Sequence, residues 1–150
     1  FGLRAFADHE FNMLCAEQFA GVDGIFLLQE AIQKGHVLKS YCDKQVAEYA
    51  LANAITIKFE GLKFCCLNSG QRNSDAVQPA AKPEHDALFR WHCDGKNVNV
   101  SLYHAAGHEQ HDLSLIAKKW NGGGHKGACG FRTTLESMQL ILNGLWANAA

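Results

Sequence analysis

The chain has almost no excess charge of either sign. Fourteen Lys and Arg stand against fifteen Asp and Glu, a formal net charge of -1 over 150 residues. Non-specific grip on duplex nucleic acid needs a broad basic surface, and this balance argues against one. A small local anion site is not excluded. Charged residues make up 19%, below the roughly 25% of ordinary domains, while 47% apolar residues is normal, so the chain is neither disordered nor fibrous. No apolar run approaches the about 20 residues of a membrane span, and no signal peptide is recognisable. The expectation is a cytoplasmic protein with no membrane partner. The length suits one ordinary domain, or a smaller one with an appendage. The chain opens on Phe1 rather than Met, with a helical pattern already under way, and is expected to continue something N-terminal to it.

Cysteine pairs at metal spacing are also missing. Cys15, Cys42, Cys65, Cys66, Cys93 and Cys129 form no CxxC and no zinc-ribbon pattern. They are expected to be free thiols in a reducing compartment, acting as small buried hydrophobes. Adjacent Cys65 and Cys66 would point to opposite faces of a strand.

What is present divides into a helical front and an α/β body. Apolar residues recur at helical spacing over 5–19, over 24–33, and from Val37 to about Ala54, where Leu38, Tyr41, Cys42, Val46, Tyr49 and Ala50 share a stripe. The last of these is expected to start soon after Gly35 and to bury its stripe on the body, with pairing to another chain as the alternative. At Ile55 the pattern changes. Ile55, Ile57 and Phe59 alternate with Thr56 and Lys58, Glu60-Gly61 is a turn, and 62–67 is the return strand. A short helix over 74–81 is cut by Pro79 and ended before Pro83. Strands follow at 87–92 and 98–103 around the Asp94-Gly95 turn. Asp112 caps a helix to Trp120, with Leu113, Ile116, Ala117 and Trp120 as its stripe. A Gly-rich loop, a strand at 128–132 and a helix over 135–146, with Leu135, Met138, Leu142 and Leu145 on one face, close the chain. The expected fold is α/β: a mixed β-sheet of about five strands flanked by helices, preceded by a helical linker, with residues 1–54 connecting and 55–150 forming the domain.

Five of the fourteen glycines fall between Gly122 and Gly130. Gly122-Gly123-Gly124 can adopt left-handed angles and approach a ligand without Cβ atoms. Exposed peptide N–H groups there form an anion-binding concavity, and His125 offers a further hydrogen bond to a phosphate oxygen. The segment is no P-loop and no dinucleotide fingerprint, since GxxxxGK[ST] and GxGxxG are both absent. A flexible loop with an ordinary surface His is the bland alternative.

Gly122-Gly123-Gly124-His125, then Ala128, Gly130 and Phe131, resembles the GGGHxxAxGF signature of the DHH-associated domain, the C-terminal half of Asp-His-His (DHH) phosphoesterases. Residues 99–103 (NVSLY) resemble the family's VSLR/Y strand, 112–117 (DLSLIA) its DVSxIA helix start, and 54–68 the hairpin that opens the domain in one bacterial subgroup. Residues 3–19 are similar to the segment after the catalytic domain there. The resemblance implies that Gly122, Gly123, Gly124 and His125 hold substrate phosphate, with Ser101, Tyr103 and His104 lining the pocket. Tyr103 stands where some members have Arg, and His104 where Ser is common. The resemblance also implies a divalent metal pair, Mn or Mg, on an N-terminal catalytic domain.

No DHH triplet or Asp-x-Asp metal motif occurs in this sequence, and two-metal hydrolysis needs several carboxylates and histidines. Glu84-His85-Asp86 and His111-Asp112 are the nearest look-alikes, and neither sits in the expected context. The cluster His104, His108, Glu109 and His111 offers a metal-binding module as a rival reading, and is expected instead to be a solvated, His-rich loop. No metal and no catalytic residue is therefore expected in this chain. The expectation is a phosphate- or nucleotide-binding domain whose partners are a phosphorylated substrate, such as short single-stranded nucleic acid or a nucleotide, and the catalytic domain, with a homodimer allowed. Oligonucleotides, 3′-phosphoadenosine 5′-phosphate, cyclic dinucleotides and polyphosphate all fit. The alternative is a non-catalytic nucleotide-binding or protein-interaction domain. Lys126 and Arg132 could add positive potential to the loop. Of the tryptophans that might stack on a base, Trp120 and Trp146 are expected in the core.

Overall fold

The computed structural model describes residues 22–70 and 73–145. The expected helix over 5–19 and Trp146 lie outside them. The chain divides into two compact units, residues 1–44 and 45–150. Helix α1 (Val22–Asn53) has 32 residues and runs straight through Gly35, where the periodicity placed a break. One interior glycine costs about 1 kcal/mol relative to alanine, too little to end a helix this long. Glu30 and Lys34 pair at 2.7 Å across one turn, and Lys39 pairs with Asp43 in the same way. The expected burial of the apolar stripe is met only in the last turn, at Ala50; Val37, Leu38, Tyr41 and Tyr49 are exposed. No helix among the described residues is long and apolar enough to cross a membrane.

The second unit is built on β1 (Ile55–Phe59), β2 (Leu62–Asn68), β3 (Ala87–Cys93), β4 (Val98–His104), β5 (Gly123–His125) and β6 (Ala128–Thr133). They form one six-stranded sheet in the order β1-β2-β3-β4-β6-β5. Every pairing is antiparallel except β2 with β3. The sixth strand is β5, which glycine-rich composition had marked as loop because glycine is depleted in strands. Glu60 (φ 48) and Gly61 (φ 83) both take left-handed angles, as a two-residue hairpin turn requires. The expected helix over 74–81 is instead two 3-10 turns, Ser74–Ala76 and Gln78–Ala80, the second with Pro79 in its first positions.

Strand alternation gives the sheet two faces. On the helix face, Ile57, Phe59, Phe64, Phe89, Val100, Leu102 and Phe131 pack beneath α2 (Leu113–Lys119) and α3 (Leu135–Leu142), which supply Leu113, Ile116, Met138 and Ile141. Phe59 sits at the centre, fully buried, with ring centroids 5.6 Å from Phe89 and 5.4 Å from Trp120. Trp120 thus joins the core as its stripe predicts, and its indole N–H donates to Glu60 at 3.2 Å. Asp112 caps α2 by accepting from the Ser114 amide at 3.0 Å. In α3 the buried pair is Met138 and Ile141, while Leu135 and Leu145 of the expected stripe are exposed. The far face carries a smaller cluster in which Ala50, Ala76 and Val77 cover Cys65, Leu67 and Leu88. Cys65 and Cys66 do occupy opposite faces.

Candidate functional site

Where that small cover ends, the far face opens. Register aligns the residues of β4, β6 and β5 in rows across the sheet. Tyr103 pairs with Ala128 and Ala128 with His125; Ser101 pairs with Gly130 and Gly130 with Gly123. Directly paired residues project to the same face, so Tyr103, His125, Ser101 and Gly123 share one surface. Neighbouring strands lie about 4.8 Å apart, which puts Tyr103 and His125 roughly 10 Å from each other. His125, Gly123 and Ala128 are exposed, and Ser101 and Tyr103 half-buried. A third row continues with His92, Asn99 and Arg132, whose Arg132 Nε donates to Asn99 Oδ1 at 3.0 Å.

The three glycines of the motif have separate tasks. A Cβ on Gly122 would sit 2.1 Å from the Gly130 carbonyl oxygen. One on Gly124, whose φ is +134, would sit 2.6 Å from Cys129 Cα. Both are needed for the loop to close against β6. Gly123 differs: no heavy atom lies within 4 Å of the place its Cβ would take, and its φ is not in the left-handed region. Neither packing nor backbone angle demands glycine there. What its missing side chain leaves clear is the open face itself.

A concavity of about 490 Å³ lies just before the start of β5, with Asn99, Ser101, Asn121, Gly122, Gly130 and Arg132 on its walls beside Val100, Trp120 and Phe131, which also pack with the helix-face core. His125 and Tyr103 lie one row beyond it. His104 stands apart from the other expected ligand residues. It belongs to the helix-face alternation, its Nε2–H donates to the His111 carbonyl oxygen at 2.7 Å, and its ring packs on Gly127, where a Cβ would approach Nδ1 to 2.7 Å. The ring braces the loop before α2.

Sequence reasoning passed over Arg90. It is 4% exposed, sits on β3 in register with Ser101, and donates from Nη2 to Ser101 Oγ and from Nη1 to the Ser69 carbonyl oxygen, each at 2.9 Å. The visible signal is an arginine at a far-face position within the otherwise apolar first five residues of β3, Ala-Leu-Phe-Arg-Trp.

Among the described residues, no three His, Cys, Asp or Glu side chains converge as a metal-holding group. His111 Nε2 comes no nearer than 3.9 Å to Asp86. Asp86 itself accepts from the Lys63 amide at 2.8 Å. The two-metal set that the resemblance implies does not fit these residues. The three buried thiols, Cys65, Cys66 and Cys129, are equally unsuited to reaction, whereas Cys42 and Cys93 are exposed rather than buried as expected. Burial pushes Cys129 up to about 11 and raises Cys65 and Cys66 as well.

No protein-family model and no curated protein sequence matches the chain. Solved structures do. A pGpG-specific phosphodiesterase from Vibrio cholerae superposes with a TM-score of 0.62 at 14% identity, covering 98% of this chain and 53% of its own. The DHH domain of a protein described as belonging to a family of ribosomal proteins gives 0.51 at 15% identity, covering 87% of this chain and 34% of its own. The chain thus spans about half the length of the first and a third of the second. At 14% and 15% identity these likenesses are of fold alone.

Proposed function

We propose that the sheet unit is the substrate-holding domain of a metal-dependent DHH-family phosphoesterase, and that the open part of its far face takes the phosphate of a short oligonucleotide or nucleotide. The observation that carries this reading is the register, which gathers Ser101, Tyr103, Gly123 and His125 from three strands onto one face of the sheet. Gly123 lets a phosphoryl oxygen approach the backbone. The His125 ring N–H donates to it, and the Ser101 and Tyr103 hydroxyls lie within the same field. On this reading the divalent ions that hydrolysis requires belong to a separate catalytic domain. The chain's own part is to hold and orient, so the sheet unit alone binds without cleaving. An enzyme specific for pGpG shares the fold, which puts short oligonucleotides first among the substrates to try. His104 is left out of the ligand set because its ring is committed to the His111 carbonyl.

The test is a titration of the chain with inorganic phosphate and with uridine 5′-monophosphate, followed by backbone amide shifts. The amides of Gly123, His125 and Gly130 are expected to move. Changing His125→Ala is expected to weaken binding by roughly tenfold or more, the size of one hydrogen bond to a charged group. Amides at 122–125 that stay unmoved at millimolar ligand would sink the reading.

A further inference from the structure

We infer that Arg90 is a positioning residue that commits the Ser101 hydroxyl to donating its proton to a ligand oxygen. A guanidinium has five N–H donors and no acceptor, whereas a serine hydroxyl has one proton and two lone pairs. The 2.9 Å contact between Arg90 Nη2 and Ser101 Oγ can therefore run one way only: Arg90 donates and Ser101 accepts. The serine proton must then go elsewhere. Among the described residues Ser101 Oγ makes no second hydrogen bond, and Ser101 lines the concavity beside Gly122 and Gly130. Arg90 cannot swing away to release it. Its Nη1 is tied to the Ser69 carbonyl, a permanent acceptor, at 2.9 Å, with His92 Nδ1 at 3.5 Å, and the side chain is buried.

Two consequences follow for recognition. A hydroxyl that accepts from a cation is a stronger donor, because the two hydrogen bonds polarise one another. The row also continues from Ser101 through Gly130 to Gly123, two positions without side chains, so a ligand can lie directly beside the hydroxyl. The position favours an acceptor-only group such as a phosphoryl oxygen over a sugar hydroxyl or an amine, which would bring a proton of its own. The guanidinium reaches this face from β3, the strand paired with Ser101, and acts through the serine rather than by direct contact.

This inference rests on the phosphate-holding reading, and the experiment separates the two. Dissociation constants for inorganic phosphate and uridine 5′-monophosphate are measured on the full chain and its variants. Ser101→Ala and Arg90→Gln are each expected to weaken binding roughly tenfold, since glutamine can accept the serine proton and Arg90 cannot. Ser101→Thr and Arg90→Lys, which keep the hydroxyl and the donor-only partner, are expected to stay within about threefold of the parent, less than one such hydrogen bond. In the double variant Ser101→Ala/Arg90→Gln the losses should not multiply, because Arg90 acts through Ser101. Multiplying losses, or parent-like binding by Ser101→Ala, would overturn the inference. Should thermal melts show Arg90→Gln unfolded, Ser101→Ala against Ser101→Thr and Arg90→Lys decides alone: equal binding by all of them overturns it. His125→Ala serves as the separate arm. If it binds like the parent, the site itself is wrong; if it weakens while Ser101→Ala does not, only the role of Arg90 and Ser101 falls.

Discussion

The two faces of this sheet are made by the same strands and end differently. On the helix face the inward positions stay apolar from β1 to β6, through Phe59, Phe64, Phe89, Val100 and Phe131, and two helices close over all of them. On the far face the sequence changes partway across. Cys65, Leu67 and Leu88 lie under Ala50 and Val77; then come Arg90, Ser101, Gly130 and Gly123 in one row, and Tyr103, Ala128 and His125 in the next. Apolar side chains stop where the covering chain stops. A sheet meant to be covered on both faces would carry β-branched or aromatic residues at 128, 130 and 132; this one has Ala, Gly and Arg. One face is spent on stability, and half of the other is left open.

That division makes its largest prediction on the closed face. Phe59 is fully buried and touches Phe64, Phe89, Trp120 and Phe131. Truncating Phe59→Ala should cost about 3–5 kcal/mol, from lost transfer energy and the cavity left behind. Urea denaturation measures it, and a loss below about 1 kcal/mol, typical of surface changes, would contradict the assignment of this face as the core.

The glycine motif sharpens the comparison inside three residues. Gly122→Ala forces a Cβ to 2.1 Å from the Gly130 carbonyl oxygen and should cost about 1–3 kcal/mol as overpacking. Gly123→Ala meets nothing within 4 Å and should leave stability within about 0.5 kcal/mol of the parent, while weakening phosphate binding. Paired melts and phosphate titrations test both. Equal destabilisation by the two variants would erase the distinction between a packing glycine and a ligand glycine.

How far these features were legible in the sequence follows from how local each one is. Alternation at 55–59 and 98–103, the Glu60-Gly61 turn and the Asp112 cap are decided by residues a few positions apart, and the structure has them. The motif marked Gly122 to His125, yet composition read loop where β6 pairs it into an edge strand. Tertiary pairing there overrides a poor strand propensity. Rows across the sheet cannot be read from one sequence, because they depend on which strands pair and in what register. So His104 looked like a neighbour of Tyr103 at the site, although one residue's step moves it to the opposite face, and Arg90 looked unconnected to Ser101 eleven positions later.

The smallest effect lies on the covered half of the far face, at His85, which is 2% exposed. The Lys82 amide donates to its Nδ1 at 2.9 Å, so Nδ1 carries no proton, and Nε2–H is left to donate to Thr56 Oγ1 at 2.9 Å. Protonation would set an N–H against the Lys82 amide. Burial, the largest cause, accordingly lowers the His85 pKa below the usual imidazole range, against the opposing pull of Glu84. The unfolded chain then binds a proton that the folded one refuses. Stability from this group is complete above the ordinary histidine value of about 6.5 and is lost as pH falls below it toward the lowered folded value, with a slope of at most about 1.4 kcal/mol per pH unit. Urea midpoints between pH 7.5 and 5 are expected to fall more steeply for the parent than for His85→Gln. Parallel curves would mean that the buried ring takes up its proton without opening the cover, so that this half of the face is looser than its packing implies.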